Sequence, residues 1–113
     1  YVYLSSIFGK DMVNFISSEF KIEKGKINLI SSDYFMNLNE HINCDAFISN
    51  WALTESGKDY QDFVVNKNFF NASNVLLGCK DDENNFLMKA SNYKFHHTES
   101  IEVLGDGNYY LIR

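Results

Sequence analysis

Residues 45–71, DAFISNWALTESGKDYQDFVVNKNFFN, constrain the fold of this chain more than any other stretch. Ala46, Phe47 and Ile48 form a continuous apolar run, which is typical of a strand covered on both faces in a parallel sheet. A polar turn with the chain's single tryptophan follows, and an amphipathic helix comes after it. In open α/β sheets, ligands bind beyond the carboxyl ends of the strands. The polar turn is therefore a candidate site.

The helix after this turn is predicted from its start and its spacing. Ser56 stands three residues before Asp59, which is a capping-box-like pattern: the hydroxyl accepts a backbone N–H and the carboxylate lies in the first turn. Apolar side chains recur along one stripe of residues 58–70. Val65 and Phe69 lie off that stripe, so we expect the helix to be covered on more than one side.

Shorter patterns elsewhere predict the remaining elements. The other predicted strands are the apolar runs at residues 12–16, 27–30, 75–79 and 108–113. Helical spacing occurs at residues 1–9, 34–42 and 86–93. Gly105-Asp106-Gly107 predicts a tight hairpin turn before the last strand. Strands that alternate with helices before a hairpin predict an α/β sheet, mostly parallel, with an antiparallel edge.

Composition and charge exclude several functional classes. A chain of 113 residues with 45% apolar side chains has the material for one domain with an adequate core. Its net charge of -5 and its lack of a lysine or arginine cluster argue against a nucleic acid partner. No apolar run approaches the roughly 18 residues of a membrane span, and no signal-peptide pattern is present. We therefore expect a cytoplasmic protein with no membrane partner.

The cysteines and histidines do not specify a metal site. Cys44 and Cys79 each stand beside an apolar run and lack CxxC spacing, which favours reduced, buried thiols, with a disulfide or a metal site as alternatives. His96 and His97 are neighbours, so in a strand they would point to opposite faces and at most one could face a site. We predict no metal site.

Several motifs, taken together, are similar to those of one family. FISNWALTES, a following YxxxVxxxNFFNA segment, the VLLG strand and the terminal NYYLIR resemble the C-terminal half of the sugar O-methyltransferases. These are class I, S-adenosylmethionine-dependent methyltransferases. The resemblance runs over nearly the whole chain and is densest in residues 45–80 and 105–113. It implies a Rossmann-like sheet with a final reversed β-hairpin, S-adenosylmethionine as methyl donor, and a sugar or glycan hydroxyl as acceptor.

The chain departs from the family pattern in its glycines. The family's glycine-rich loop, which cradles the cofactor after the first strand, has no counterpart, because the six glycines contain no G-x-G-x-x-G. The family's acidic residue after the second strand is also missing, and the chain opens within a helical pattern without an N-cap. We therefore expect residues 1–113 to be a partial methyltransferase domain, a fragment that is inactive by itself.

The resemblance also assigns roles to residues at strand ends. Asn50 and Trp51 match the family position that borders cofactor and substrate: Asn50 would hydrogen-bond the amino-acid portion of the donor, and Trp51 would stack on or wall off the reacting pair. Ser32 and Asp33 follow an earlier strand, where related methyltransferases contact adenine. Glu55 is the catalytic candidate, which binds a sugar hydroxyl or takes its proton.

Each of these residues also has a purely structural interpretation. Trp51 suits a core aromatic, Asn50 a turn residue, and Glu55 a partner of the dipole of the following helix. Ser32 and Asp33 are common turn-forming residues. A non-catalytic α/β binding or assembly module is therefore the alternative to a sugar O-methyltransferase.

Overall fold

A computed structural model of the chain describes residues 1–38, 40–80, 95, 97–105 and 107–113. The chain divides into two units, residues 1–40 and 41–113. The described residues form a small α/β structure with two sheets, one parallel and one that mixes parallel and antiparallel strands. The helix predicted at residues 86–93, His96 and the turn residue Asp106 lie outside the described residues.

The first unit contains a small parallel sheet and two short helices. Its elements are α1 (Val2–Phe8), β1 (Val13–Ile16), β2 (Ile27–Ile30) and α2 (Ser32–Met36). The two strands are parallel, with Val13 opposite Ile27. The Asn28 side chain accepts the amide N–H of Glu23 at 2.9 Å and donates to the carbonyl of the same residue at 2.9 Å, which closes the loop before β2. These positions confirm the strands and the first helix predicted here.

The second unit is built on a four-stranded sheet. Its elements are β3 (Ala46–Asn50), α3 (Lys58–Asn66), β4 (Asn74–Lys80), β5 (His97–Ser100) and β6 (Asn108–Ile112). The strands lie in the order β3-β4-β6-β5. β3 and β4 are parallel, and β6 is antiparallel to both β4 and β5. Hence β3, β4 and β5 run in one direction, and β6 runs in reverse between the last two.

The terminal antiparallel hairpin is confirmed, and it forms an antiparallel edge of the sheet in which the reversed strand β6 lies inside and β5 outside. β6 is an inner strand, and Tyr109 and Leu111 on it are buried. β5 has the polar sequence HTES and takes the outer position. This arrangement has a physical reason, since a strand with buried apolar side chains gains from two neighbours, whereas a polar strand tolerates an exposed edge.

The core of the second unit lies on one face of its sheet. Buried side chains alternate along the inner strands, at Val75, Leu77, Cys79, Tyr109 and Leu111. Phe47 on β3 meets the rings of Phe69 and Phe70, with centroids 5.6 and 5.9 Å away. Phe70 in turn lies 6.0 Å from the ring of Phe63 on α3. An aromatic cluster therefore joins this face of the sheet to the helix.

The opposite face of this sheet exposes a row of aliphatic side chains. Ile48, Leu76 and Ile112 are paired across three neighbouring strands, and they are 71%, 36% and 37% exposed. The prediction that β3 is covered on both faces is therefore wrong. Only the face that carries Phe47 is packed against the aromatic cluster, and β3 lies at the edge of the described sheet.

The start and the end of α3 both differ from the prediction. Its N-cap is Gly57, with no side-chain cap, because the Ser56 hydroxyl donates instead to the carbonyl of Leu53 at 2.6 Å. The helix ends at Asn66 rather than residue 70. Residues 68–71 then form a left-handed turn with φ of 49°, 52°, 55° and 56°.

A left-handed run of four residues that includes two phenylalanines is rare, since each such L-residue costs about 1–2 kcal/mol. The turn is held by burial and by one arginine. Phe69 is fully buried and Phe70 nearly so. Arg113 at the end of β6 donates to Asn68 Oδ1 at 3.0 Å and to the Ala72 carbonyl at 2.8 Å. Its guanidinium also lies over the Phe69 ring, 5.4 Å from the centroid.

Candidate functional site

The carboxyl ends of β3 and β4 lie at the same end of the sheet because these strands are parallel. Asn50 pairs with Gly78, and Gly78 pairs with Tyr110 on β6. Trp51 follows Asn50 directly. We call these four residues, Asn50, Trp51, Gly78 and Tyr110, the strand-end site. The first two were predicted from the sequence, and the other two were not.

Gly78 provides the floor of the strand-end site. A Cβ atom at this position would lie 2.5 Å from Asn50 Oδ1 and 3.1 Å from Trp51 Cε3, well inside van der Waals contact. The backbone amide of Trp51 donates to the Gly78 carbonyl at 3.0 Å. The side chains of Asn50 and Trp51 therefore lie directly over a bare stretch of β4.

Trp51 is held in an uncommon backbone conformation. Its φ is 59°, in the left-handed region that bulky residues rarely adopt. Its carbonyl accepts the hydroxyl of Thr54 at 2.9 Å and the amide of Glu55 at 3.0 Å. Its ring meets Tyr110 edge-on, with centroids 6.0 Å apart and planes at 64°. The half-buried indole therefore has a defined orientation with part of its surface in solvent.

Polar groups hold the turn between β3 and α3. The Ser49 hydroxyl oxygen accepts the amide of Leu53 at 2.9 Å. Gln61 on α3 is buried, and its side-chain amide donates to the carbonyls of Thr54 and Ser56 at 3.0 and 2.9 Å. These bonds tie the turn to both neighbouring elements. No sequence motif marked Gln61, because its role depends on where the helix lies against the turn.

Glu55 lies at the rim of this turn. Its amide is bonded to the Trp51 carbonyl, so the two residues are one helical turn apart, and its side chain is exposed. Next to the turn, a cavity of about 280 Å³ is lined by residues 47–50, Ala52, Leu53 and Tyr60. The end of β3 thus combines an exposed carboxylate, an amide, an aromatic ring and a small recess.

Ser32 and Asp33 belong to the first unit, whereas Asn50, Trp51 and Glu55 belong to the second. Ser32 and Asp33 form the first turn of α2, and both are exposed. The helix is capped by the preceding residue, Ser31, whose hydroxyl oxygen accepts the amide of Tyr34 at 3.3 Å. The predicted position at the end of a strand is confirmed for this pair.

The cysteines are free thiols, as predicted. Cys79 is fully buried, whereas Cys44 is only partly so, and burial raises the pKa of both thiols, that of Cys79 to about 12. Within the part of the chain that the structure describes, no group of three or more histidine, cysteine or acidic side chains is arranged to hold a metal ion. Among the same residues, no helix has the length and apolar character needed to cross a membrane.

Comparisons with protein-family models, with curated proteins and with solved structures found no match to this chain. The class that the described residues define is a small α/β structure with parallel and antiparallel strands and a polar, aromatic site at its strand ends.

Proposed function

We propose that this chain is part of an S-adenosylmethionine-dependent methyltransferase that acts on a sugar hydroxyl. The observation that carries the proposal is the position of Asn50 and Trp51 over Gly78, at the carboxyl end of a parallel strand pair. Ligands of open α/β sheets bind at this end. Strained backbone of the kind found at Trp51 also clusters at ligand sites.

The strand order of the second unit supports the same family. Its three parallel strands and one reversed final strand, inserted between β4 and β5, agree with the Rossmann-like sheet and reversed hairpin that the sequence resemblance implies. The Asn-Trp pair at the end of β3 and the reversed strand β6 are separate features of the chain. Both meet in the strand-end site, where Tyr110 of β6 touches Trp51.

The strand-end site fits one part of the cofactor. The exposed Asn50 side chain carries both donor and acceptor groups for an amino-acid moiety. The partly exposed indole of Trp51 suits a neighbouring sulfonium, because an aromatic face attracts a cation. When bound, S-adenosylmethionine supplies a methyl group that is already activated. The proposal includes a glycine-rich loop from sequence other than these 113 residues, since they contain no G-x-G-x-x-G.

The protein's own contribution would then be positioning and proton removal. Orienting an acceptor against an activated group accounts for most of the rate gain in such transfers. Trp51 would shield the reacting pair from water. Glu55, exposed one turn from the indole, would accept the proton of the sugar hydroxyl as the general base.

A calorimetric titration of the full-length protein with S-adenosylmethionine tests this proposal. We expect binding by the wild type and at least about tenfold weaker binding by Trp51→Ala. Tyr3→Ala is the matched control, because Tyr3 is an exposed aromatic of the first unit. If the wild type binds no S-adenosylmethionine, the methyltransferase proposal fails.

The same titration separates the second candidate function, a non-catalytic binding or assembly module. The lack of a glycine-rich loop in these residues favours that alternative. A folded full-length protein that does not bind S-adenosylmethionine would support this alternative. Cofactor binding that is unchanged in Trp51→Ala would keep the enzyme but remove Trp51 from its site.

A further inference from the structure

We infer that Gly78 is a positioning residue, which holds Asn50 and Trp51 in the geometry of the strand-end site. The inference rests on the proposed function only for the identity of the ligand that these groups serve. Both side chains occupy the space that a Cβ at Gly78 would need, and the Gly78 carbonyl accepts the amide of Trp51 at 3.0 Å. One residue on β4 therefore sets the position of two candidate ligand-binding side chains at the end of β3.

Gly78 differs from four other glycines of the chain because it has no room for a side chain. An added Cβ would lie 2.5 Å from Asn50 Oδ1 and 3.1 and 3.2 Å from two carbons of the Trp51 ring. At Gly9, Gly25, Gly57 and Gly105 the same added atom would meet nothing within 4 Å. An alanine at 78 would therefore displace the amide group, the indole or both.

The pairing of Gly78 with residues on both neighbouring strands explains why its lack of a side chain matters. Its partners are Asn50 on one side and Tyr110 on the other, and paired residues of neighbouring strands place their side chains on the same face. Without a side chain at 78, the Trp51 ring reaches across β4 and meets Tyr110 at 6.0 Å. Any side chain at 78 would stand between these two aromatic rings.

Trp51 itself reports on this geometry, because it is the single tryptophan of the chain. We would compare tryptophan emission and acrylamide quenching in wild type, Gly78→Ala and Gly57→Ala. Gly57 has φ of -60° and ψ of 152° and open space around it, so it is a matched glycine-to-alanine control. We expect a red shift and stronger quenching for Gly78→Ala alone. Wild-type emission and quenching in Gly78→Ala would overturn the inference.

A double variant separates positioning from a general loss of stability. In Asn50→Ala the closest atom to the new Cβ is gone, so adding Gly78→Ala should lower the denaturation midpoint less than it does in the wild-type background. This comparison also remains possible if Gly78→Ala alone does not fold, since the double variant should then regain folding. Equal losses in the two backgrounds would show that Gly78 does not act through Asn50 and would overturn the inference.

Cofactor binding by the full-length protein completes the test. We expect Gly78→Ala to bind S-adenosylmethionine at least about tenfold more weakly than Gly57→Ala at a temperature where both are folded. Equal affinities of these two variants would overturn the inference. If no form binds S-adenosylmethionine, the proposed function fails instead, and the emission of Trp51 still decides whether Gly78 positions it.

Discussion

At the scale of single residues, Trp51 has an unfavourable left-handed backbone conformation that hydrogen bonds and a ring contact hold in place. A left-handed conformation costs a bulky residue about 1–3 kcal/mol. Hydrogen bonds to its amide and carbonyl, from partners at Gly78, Thr54 and Glu55, offset this cost, at about 1 kcal/mol each. The ring contact with Tyr110 adds to them. The result is an aromatic group whose direction is set by backbone and side chain together.

We predict that Glu55→Gln lowers kcat of the proposed methyl transfer by the full-length protein about 100-fold, because general-base catalysis typically contributes that much or more. Binding of S-adenosylmethionine should be unchanged, since Glu55 is assigned to the acceptor hydroxyl. Methyl transfer from labelled cofactor to a panel of sugars measures the rate. Asp59→Asn, in the first turn of α3, is the matched control. Wild-type kcat in Glu55→Gln would exclude Glu55 as the base.

We predict that the Cys79 thiol resists modification in the folded state. Burial raises its pKa from 9.0 to about 12, so the reactive thiolate is scarce. Because the folded pKa exceeds the unfolded one, the contribution of this thiol to stability is complete below about pH 9 and is lost as the pH rises toward 12.

Thiol labelling of the Cys44→Ser variant measures this protection. We expect almost no labelling of Cys79 in the native protein and complete labelling after unfolding in denaturant. The pH dependence is measured against Cys44→Ser,Cys79→Ala, whose free energy of unfolding should fall less above pH 9, where the Cys79 thiol begins to ionise in the unfolded chain. Rapid labelling of native Cys44→Ser would contradict the prediction.

At the scale of elements, local patterns located the strands and the helices α1 and α3. The helix predicted at residues 34–42 is instead the shorter α2, Ser32–Met36. Short apolar runs placed β3, β4 and β6 within one or two residues, because burial of such runs is a local demand. The Ser56 cap failed because its hydroxyl found the Leu53 carbonyl instead. The left-handed turn at residues 68–71 could not be predicted, since backbone preference opposes it and only distant contacts compensate.

We predict that Arg113→Lys destabilises the chain by about 1–2 kcal/mol. Lysine cannot make the paired contacts of the guanidinium with Asn68 Oδ1 and the Ala72 carbonyl, nor lie flat over Phe69. Urea denaturation measures the loss. Asn68→Gly removes one acceptor and suits the left-handed backbone, so Arg113→Lys should cost less in that background. Identical stability of wild type and Arg113→Lys would contradict this role.

At the scale of the whole molecule, the order of strands was less predictable than their positions. The sequence indicated a final hairpin and an antiparallel edge, but it did not indicate that the reversed strand β6 lies between β4 and β5. Strand order and register depend on contacts between distant residues, which no local pattern reports. For the same reason the sequence did not mark Gly78 and Tyr110, which lie across the sheet from the predicted site residues Asn50 and Trp51.

The exposed aliphatic row on the sheet leads to a prediction about solubility. Ile48→Thr keeps the charge and the strand preference of the position while removing an apolar side chain that is 71% exposed. We expect a higher precipitation midpoint in ammonium sulfate and a free energy of unfolding within about 0.5 kcal/mol of wild type. Val103→Thr is the control, because Val103 is 94% exposed outside the sheet. An unchanged midpoint for Ile48→Thr would contradict the prediction.

The insertion of β6 has a consequence for how this protein is made. β6 is the strand that pairs with β5, and it also covers one side of β4. While the ribosome has not yet translated residues 108–112, the growing polypeptide holds β4 with one flank bare. Such flanks invite pairing with other chains. The sheet of the second unit therefore reaches its native strand order only after residues 108–112 have been made, because β6 joins β4 to β5.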